Sequence, residues 1–237
     1  MLIIVIILLI IAGAGYAYLY NNGLSGKYAN KEPKEGQIKV ACVGDSITYG
    51  HGVKGWHFNN YPAQLQSILG DEYHVANFGS SGACINGNGD QPYINRTIYN
   101  ESLEYDADIL VIMLGTNDSK PENWTDAATF VEEYRQLLNT YITTEKTPKI
   151  FIGLCSEAYF LEKTQTGIAE FDIQPAVVDE IVEVIREYAE SAEIEVVDVH
   201  SLTELHPEWY EKDGIHPNND GAKAIAECVA EKIKKNK

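Results

Sequence analysis

Five short apolar runs, rich in β-branched residues, recur along the chain: Ile38–Val43, Tyr73–Phe78, Ile109–Leu114, Ile150–Leu154 and Ile194–Val199. Runs of that length read as strands buried on both faces, as in a parallel sheet. Longer stretches with helical spacing lie between and after them. Tyr61, Leu65, Ile68 and Leu69 share one face, with Pro62 near the start and Gly70 at the stop. Phe130, Tyr134, Leu137 and Tyr141 make a second stripe, with Thr125 as the expected N-cap. Val178, Ile181 and Ile185 make a third, and Ala222, Ile225, Val229 and Ile233 a fourth. The alternation predicts an α/β fold, a parallel sheet with helices on both faces. Sites in such sheets lie beyond the carboxyl ends of the strands.

The strand ends carry polar clusters. Gly44-Asp45-Ser46-Ile47-Thr48 follows the first run, Gly79-Ser80-Ser81-Gly82 the second and Gly115-Thr116-Asn117-Asp118 the third. Asp213-Gly214-Ile215-His216-Pro217 precedes the last helix. Together they hold the parts of nucleophilic acyl transfer. A serine hydroxyl is a weak nucleophile and needs an adjacent base, a task that suits an imidazole. The imidazole in turn needs a carboxylate to fix its tautomer. Ser46 is the candidate nucleophile, His216 the base and Asp213, three residues away, its partner. A tetrahedral intermediate also needs donors for its oxyanion. The backbone N–H groups of Ser46 and Gly79 are the candidates, with the Asn117 side-chain amide as a third; a side chain at Gly79 would crowd the substrate.

Other classes fall away. With 18 Lys and Arg against 35 Asp and Glu, the net charge of −17 gives nucleic acid no basic footprint. No Cys or His pair has metal-ligand spacing, and the phosphate-loop Lys is missing after Gly44-Asp45-Ser46, so neither a metal nor another cofactor is expected. Four cysteines in 237 residues do not make a disulfide scaffold. Cys42 and Cys228 read as buried thiols, and a Cys42–Cys155 bridge is not expected. Four Asn-x-Ser/Thr sequons begin at Asn95, Asn100, Asn117 and Asn123. A glycan on Asn117 would block the crevice.

Met1 to Gly26 contains no charged side chain, and Leu2 to Tyr20 is apolar throughout apart from its closing tyrosines. As a helix that stretch would span about 28 Å, close to a bilayer core. A membrane anchor is the preferred reading. A cleaved signal peptide ending near Ala12-Gly13-Ala14 is the alternative, although the basic n-region is missing. Residues 21–36 read as a tether, and residues 37–237 as one domain.

The four polar blocks, in this order, resemble those of the SGNH hydrolases, also called GDSL-type esterases and lipases. The second block extends to Asn77-Phe78-Gly79-Ser80-Ser81-Gly82. The resemblance runs from about Ile38 to the C-terminus. It implies a flavodoxin-like three-layer α/β/α fold with about five parallel strands, a Ser46–His216–Asp213 triad, and Ser46, Gly79 and Asn117 as oxyanion donors. Gly89-Asp90-Gln91-Pro92-Tyr93 and Ser119-Lys120-Pro121-Glu122-Asn123-Trp124 resemble segments of a narrower, carbohydrate-directed branch, the sialate O-acetylesterases and acetylxylan esterases. Cys84 stands where that branch is expected to carry a threonine.

The expected activity is therefore hydrolysis of short-chain, chiefly acetyl, esters on carbohydrates. The alternatives are a lipase or thioesterase with a long acyl pocket, and an inactive carbohydrate-binding module. Loop aromatics Trp56, His57, Tyr93, Trp124, Tyr159 and Phe160 are either sugar platforms or ordinary packing. Asn59, Asn60, Asp90, Gln91 and Asn123 are polar loop residues suited to a hydroxylated ring. The class points to an extracytoplasmic domain, held at the membrane by the N-terminal segment or secreted after its cleavage. Lys27, Lys31 and Lys34 instead favour a cytoplasmic flank under the positive-inside rule.

Overall fold

The structure is a computed structural model that describes residues 30–142, 146–159 and 168–236. The apolar segment Leu2–Tyr20, most of the tether and Phe160 lie outside the described residues. Among the described residues no helix is long and apolar enough to cross a membrane.

Five parallel strands form one sheet: β1 (Ile38–Gly44), β2 (Tyr73–Gly79), β3 (Ile109–Met113), β4 (Lys149–Gly153) and β5 (Glu195–Val197). Their order is β2-β1-β3-β4-β5. Register brings Gly44 opposite Gly79 on one side and opposite Met113 on the other. The turns that follow β1, β2 and β3 therefore leave the sheet side by side.

Period-two alternation divides each strand between two cores. Ala41, Val43, Leu110 and Ile112 face one of them, whereas Val40, Cys42, Val111 and Met113 face the other. The first core is closed by α4 (Thr97–Glu104), α5 (Ala127–Tyr141) and α6 (Pro175–Ser191), through Ile98, Phe130, Tyr134, Ile181 and Ile185. The second is closed by α3 (Tyr61–Leu69) and α8 (Asn219–Lys235), through Tyr61, Leu65, Ile225 and Val229. Short helices α1 (Ser46–Tyr49), α2 (Trp56–Asn59) and α7 (Val199–Thr203) complete the order.

Local chemistry sets the boundaries. Asn60 caps α3 by accepting from the Ala63 N–H at 2.9 Å, and Pro62 occupies its first turn. The cap of α5 is Asp126, not Thr125: its carboxylate accepts from the Thr129 N–H and hydroxyl, both at 2.9 Å. A carboxylate there also suits the positive end of the helix dipole. β5 ends earlier than its apolar run because Asp198 caps α7, accepting from the Ser201 N–H at 3.0 Å. All four cysteines are free thiols; Cys42, Cys84 and Cys155 are buried and Cys228 is half-buried.

Candidate active site

β1 stops at Gly44 and the chain turns at once into α1. Asp45 makes the turn by accepting from the Ile47 N–H at 2.8 Å, which leaves Ser46 as the first helical residue. The helix lies directly on the ends of β1 and β2. A Cβ on Gly79 would sit 2.1 Å from the Tyr49 nitrogen, and one on Gly44 would sit 2.0 Å from Thr48 Oγ1. Only glycine allows that approach. Asn77 ties the layers together: its Nδ2 donates to the Thr48 carbonyl at 2.8 Å and its Oδ1 accepts from the Gly79 N–H at 2.9 Å.

That geometry corrects the reading of Gly79. Its N–H is already engaged by Asn77, its open side faces the backbone of α1, and it does not line the cavity beside Ser46. Gly82, three residues on, does line it, with a positive φ of 80° that glycine adopts without strain. Among the described residues no acceptor is found for the N–H of Ser46 or of Gly82. The sequence block already contained Gly82; what it lacked was which glycine of the block packs and which faces the crevice.

The other residues singled out in the sequence do converge. His216 Nε2 lies 2.9 Å from Ser46 Oγ, and His216 Nδ1 lies 2.8 Å from Asp213 Oδ2. Asp213 Oδ1 accepts from the backbone N–H groups of Ile215 and His216, both at 2.9 Å. Burial pushes the Asp213 carboxyl up, but the His216 ring, the two N–H donors and the nearby imidazole charge outweigh it and take it down to about 2. The turn runs through Gly214 at φ 71°, whose carbonyl accepts from the Tyr159 N–H at 2.9 Å. With Nδ1 turned to a carboxylate, Nε2 is left to accept the Ser46 proton.

Asn117 sits in the turn after β3. Its Nδ2 donates to the Ala83 carbonyl at 3.2 Å and to Asp45 Oδ2 at 3.4 Å. Burial pushes the Asp45 carboxyl up to about 6, against the pull of the Ile47 N–H and the His216 charge. The two segments that resemble the carbohydrate-directed branch meet behind Asn117. Asn123 Nδ2 donates to the Asn117 carbonyl and to Asp90 Oδ1, both at 2.8 Å, and Lys120 Nζ pairs with Asp90 Oδ2 at 2.9 Å. They form a brace that fixes the Asn117 turn. Neighbouring Asp118 holds the loop after Gly82, accepting from the Ile85 and Asn86 N–H groups at 2.8 and 2.9 Å.

These groups open on a cavity of about 170 Å³ whose walls include Ser46, His216, Asn117, Gly82, Gln91 and Lys120. Most of the loop residues picked out in the sequence lie elsewhere. Tyr93 is fully buried and donates to the Phe78 carbonyl at 2.7 Å, Trp124 packs on the core, and Tyr159 packs on Tyr210. Trp56 lies against Tyr49 and His57. Asn60 is a cap, and Asn123 and Asp90 are spent on the brace, so of the polar loop set only Gln91 reaches the cavity. Lys120, His51 and Phe171 line it without having been anticipated. Phe171 lies in a stretch of sequence with no periodic pattern, which gave no signal to find it.

One group of metal-ligating type exists among the described residues. Glu157, Asp179 and His200 bring their ligand atoms within 4.8 Å of one another. None of the three lines the cavity, and the Ser46 constellation does not call on them.

A family model for the GDSL-like lipase/acylhydrolase family matches residues 42–224. The chain belongs to that family. It is also similar to an acetylxylan esterase of Xylanibacter ruminicola, 36% identical over 219 residues that cover 85% of this chain and 44% of that protein. This GDSL-family chain thus spans less than half the length of that relative. Among solved structures, a carbohydrate acetylesterase from Sinorhizobium meliloti superposes with a TM-score of 0.70 at 19% identity, covering 85% of this chain and all of that one. An aryl esterase from M. smegmatis gives 0.67 at 18% identity, with 83% and 98% covered. At those identities the two structures speak for the fold.

The contact at Gly79 leads to a direct test. Gly79→Ala forces a methyl group into the backbone of Tyr49, so the variant should lose folded protein or unfold at a markedly lower temperature. A Gly79→Ala variant that folds and melts like the wild type would contradict this packing role.

Proposed function

We propose that this chain is a serine esterase that removes short acyl groups, chiefly acetyl, from carbohydrates. The observation that carries the reading is the hydrogen-bonded chain from Asp213 through His216 to Ser46, ending at a small cavity. Ser46 Oγ attacks the ester carbonyl while His216 Nε2 takes its proton, and Asp213 steadies the resulting imidazolium. The Ser46 and Gly82 N–H groups receive the oxyanion, and Asn117 Nδ2 joins them by exchanging its long 3.4 Å bond to Asp45 Oδ2 for one to the oxyanion. His216 then returns the proton to the leaving alcohol. Water, deprotonated by the same imidazole, releases the carboxylate and restores Ser46.

Several features favour the short-acyl reading over its rivals. The described residues beside Ser46 leave a cavity of about 170 Å³, which supports a short acyl group. Lys120 is paired with Asp90, so the site suits a neutral polar alcohol better than an anion. The similarity to an acetylxylan esterase points the same way. A complete hydrogen-bonded triad argues against an inactive binding module. The uncharged N-terminal segment is proposed to carry the domain to an extracytoplasmic face, as an anchor or as a cleaved leader.

Chain length decides between acetylesterase and lipase. Across acetyl, butyryl and octanoyl esters of one alcohol, kcat/KM should peak at acetyl. A steady rise with chain length would instead reveal an acyl channel, since each buried methylene adds about 0.8 kcal/mol.

Two substitutions separate the roles. Ser46→Ala should abolish turnover and keep the fold, because it removes one hydroxyl. Asn117→Ala should lower kcat by roughly 10²–10³, about 3–4 kcal/mol, with a smaller change in KM. A purely KM effect would make Asn117 a ground-state binding residue.

The pH profile tests the base. kcat/KM should fall toward acid as His216 takes up a proton, while Asp213, held at about 2, stays ionised throughout that fall. A profile flat down to pH 3 and falling only below it would assign the limb to Asp213 and contradict a histidine base.

A further inference from the structure

Among the described residues, two rings flank His216. The His51 ring centroid lies 4.3 Å away, tilted by 46°, and the Phe171 centroid lies 5.3 Å away, at 76°. Both residues line the same cavity as Ser46. His51 is tied to the nucleophile turn, since its N–H donates to the Ser46 carbonyl at 2.9 Å. Phe171 is 52% exposed, although it lies against a buried histidine. Its backbone is unusual as well: Phe171 and Asp172 are consecutive non-glycine residues at φ 59° and 61°. Left-handed conformations are costly for such residues and persist where the surroundings hold them. Strain and exposure thus coincide in an aromatic ring set beside the base.

The position has a chemical meaning. In the second half of acylation His216 protonates the leaving alcohol, so that alcohol must sit against the imidazole. The donors of Gly82 and Asn117 instead mark the oxyanion. Rings that touch His216 therefore border the leaving group, not the acyl chain. We propose that Phe171, with His51 behind the base, forms the alcohol subsite of the cavity and stacks on the ring of a pyranose whose acetate is cleaved. An exposed aromatic surface suits the C–H face of a sugar, and Gln91 and Lys120 on the same cavity offer polar partners for its hydroxyls. The inference rests on the esterase reading above, and it assigns that site a cyclic, hydroxylated alcohol rather than a small acyclic one.

The test compares a methyl O-acetyl-β-xyloside with ethyl acetate, which share the acyl group and differ in the alcohol. Phe171→Ala should lower kcat/KM for the xyloside about fivefold to tenfold more than for ethyl acetate, chiefly through KM. Phe171→Trp should keep the wild-type ratio. If both esters lose activity equally, Phe171 merely supports His216, and the subsite proposal is overturned. It is overturned too if neither ester is affected. Absence of hydrolysis of either ester by the wild-type protein would sink the esterase reading itself. Turnover of ethyl acetate without the xyloside would leave the esterase standing and remove the sugar subsite.

Discussion

The site depends on how closely α1 approaches the ends of β1 and β2. Gly44 and Gly79 pair in register, and each leaves room for the backbone or side chain of Thr48 and Tyr49 where any Cβ would collide. Asn77 closes the joint by bonding the Thr48 carbonyl and the Gly79 N–H. The consequence reaches beyond packing. A helix seated that low starts at Ser46, so the hydroxyl and the N–H of one residue emerge together at the mouth of the sheet. The parallel order β2-β1-β3 then places the turns carrying Gly82 and Asn117 beside it.

A second layer of interactions keeps the donors in place. Asn123, Asp90 and Lys120 brace the Asn117 turn, Asp118 holds the loop after Gly82, and Asp45 accepts from both Ile47 and Asn117. Most of these groups are buried, and burial pushes the Asp45 and Asp118 carboxyls up to about 6 and about 7. Each therefore relies on its hydrogen bonds to remain a good acceptor. In the proposed mechanism only Asn117 must change partners as negative charge develops, giving up its 3.4 Å contact with Asp45.

Much of this was legible in the sequence because it depends on period and order. Alternating runs identified the strands, and the polar blocks after them supplied Ser46, Asn117, Asp213 and His216, which the fold gathers at one end of the sheet. The division of labour inside one block was not legible. Gly79 and Gly82 differ only in what lies above them, a tertiary fact that spacing does not encode. The cap of α5 went to Asp126 because a carboxylate there reaches two donors on Thr129. Tyr93 and Trp124 look like loop aromatics along the chain, yet Tyr93 fills the core and the half-buried Trp124 packs against it. Phe171 reaches the cavity through a left-handed turn that its residue types would not suggest.

The most direct measurement of the central claim is the covalent state of Ser46 during turnover. Protein mixed with an activated acetate ester, quenched in acid within the first turnovers and digested, should carry an acetyl group on the peptide containing Ser46. The adduct should accumulate when deacylation is slower than acylation and vanish in Ser46→Ala. Hydrolysis that proceeds with acetyl found on another residue, or that persists in Ser46→Ala, would contradict the account.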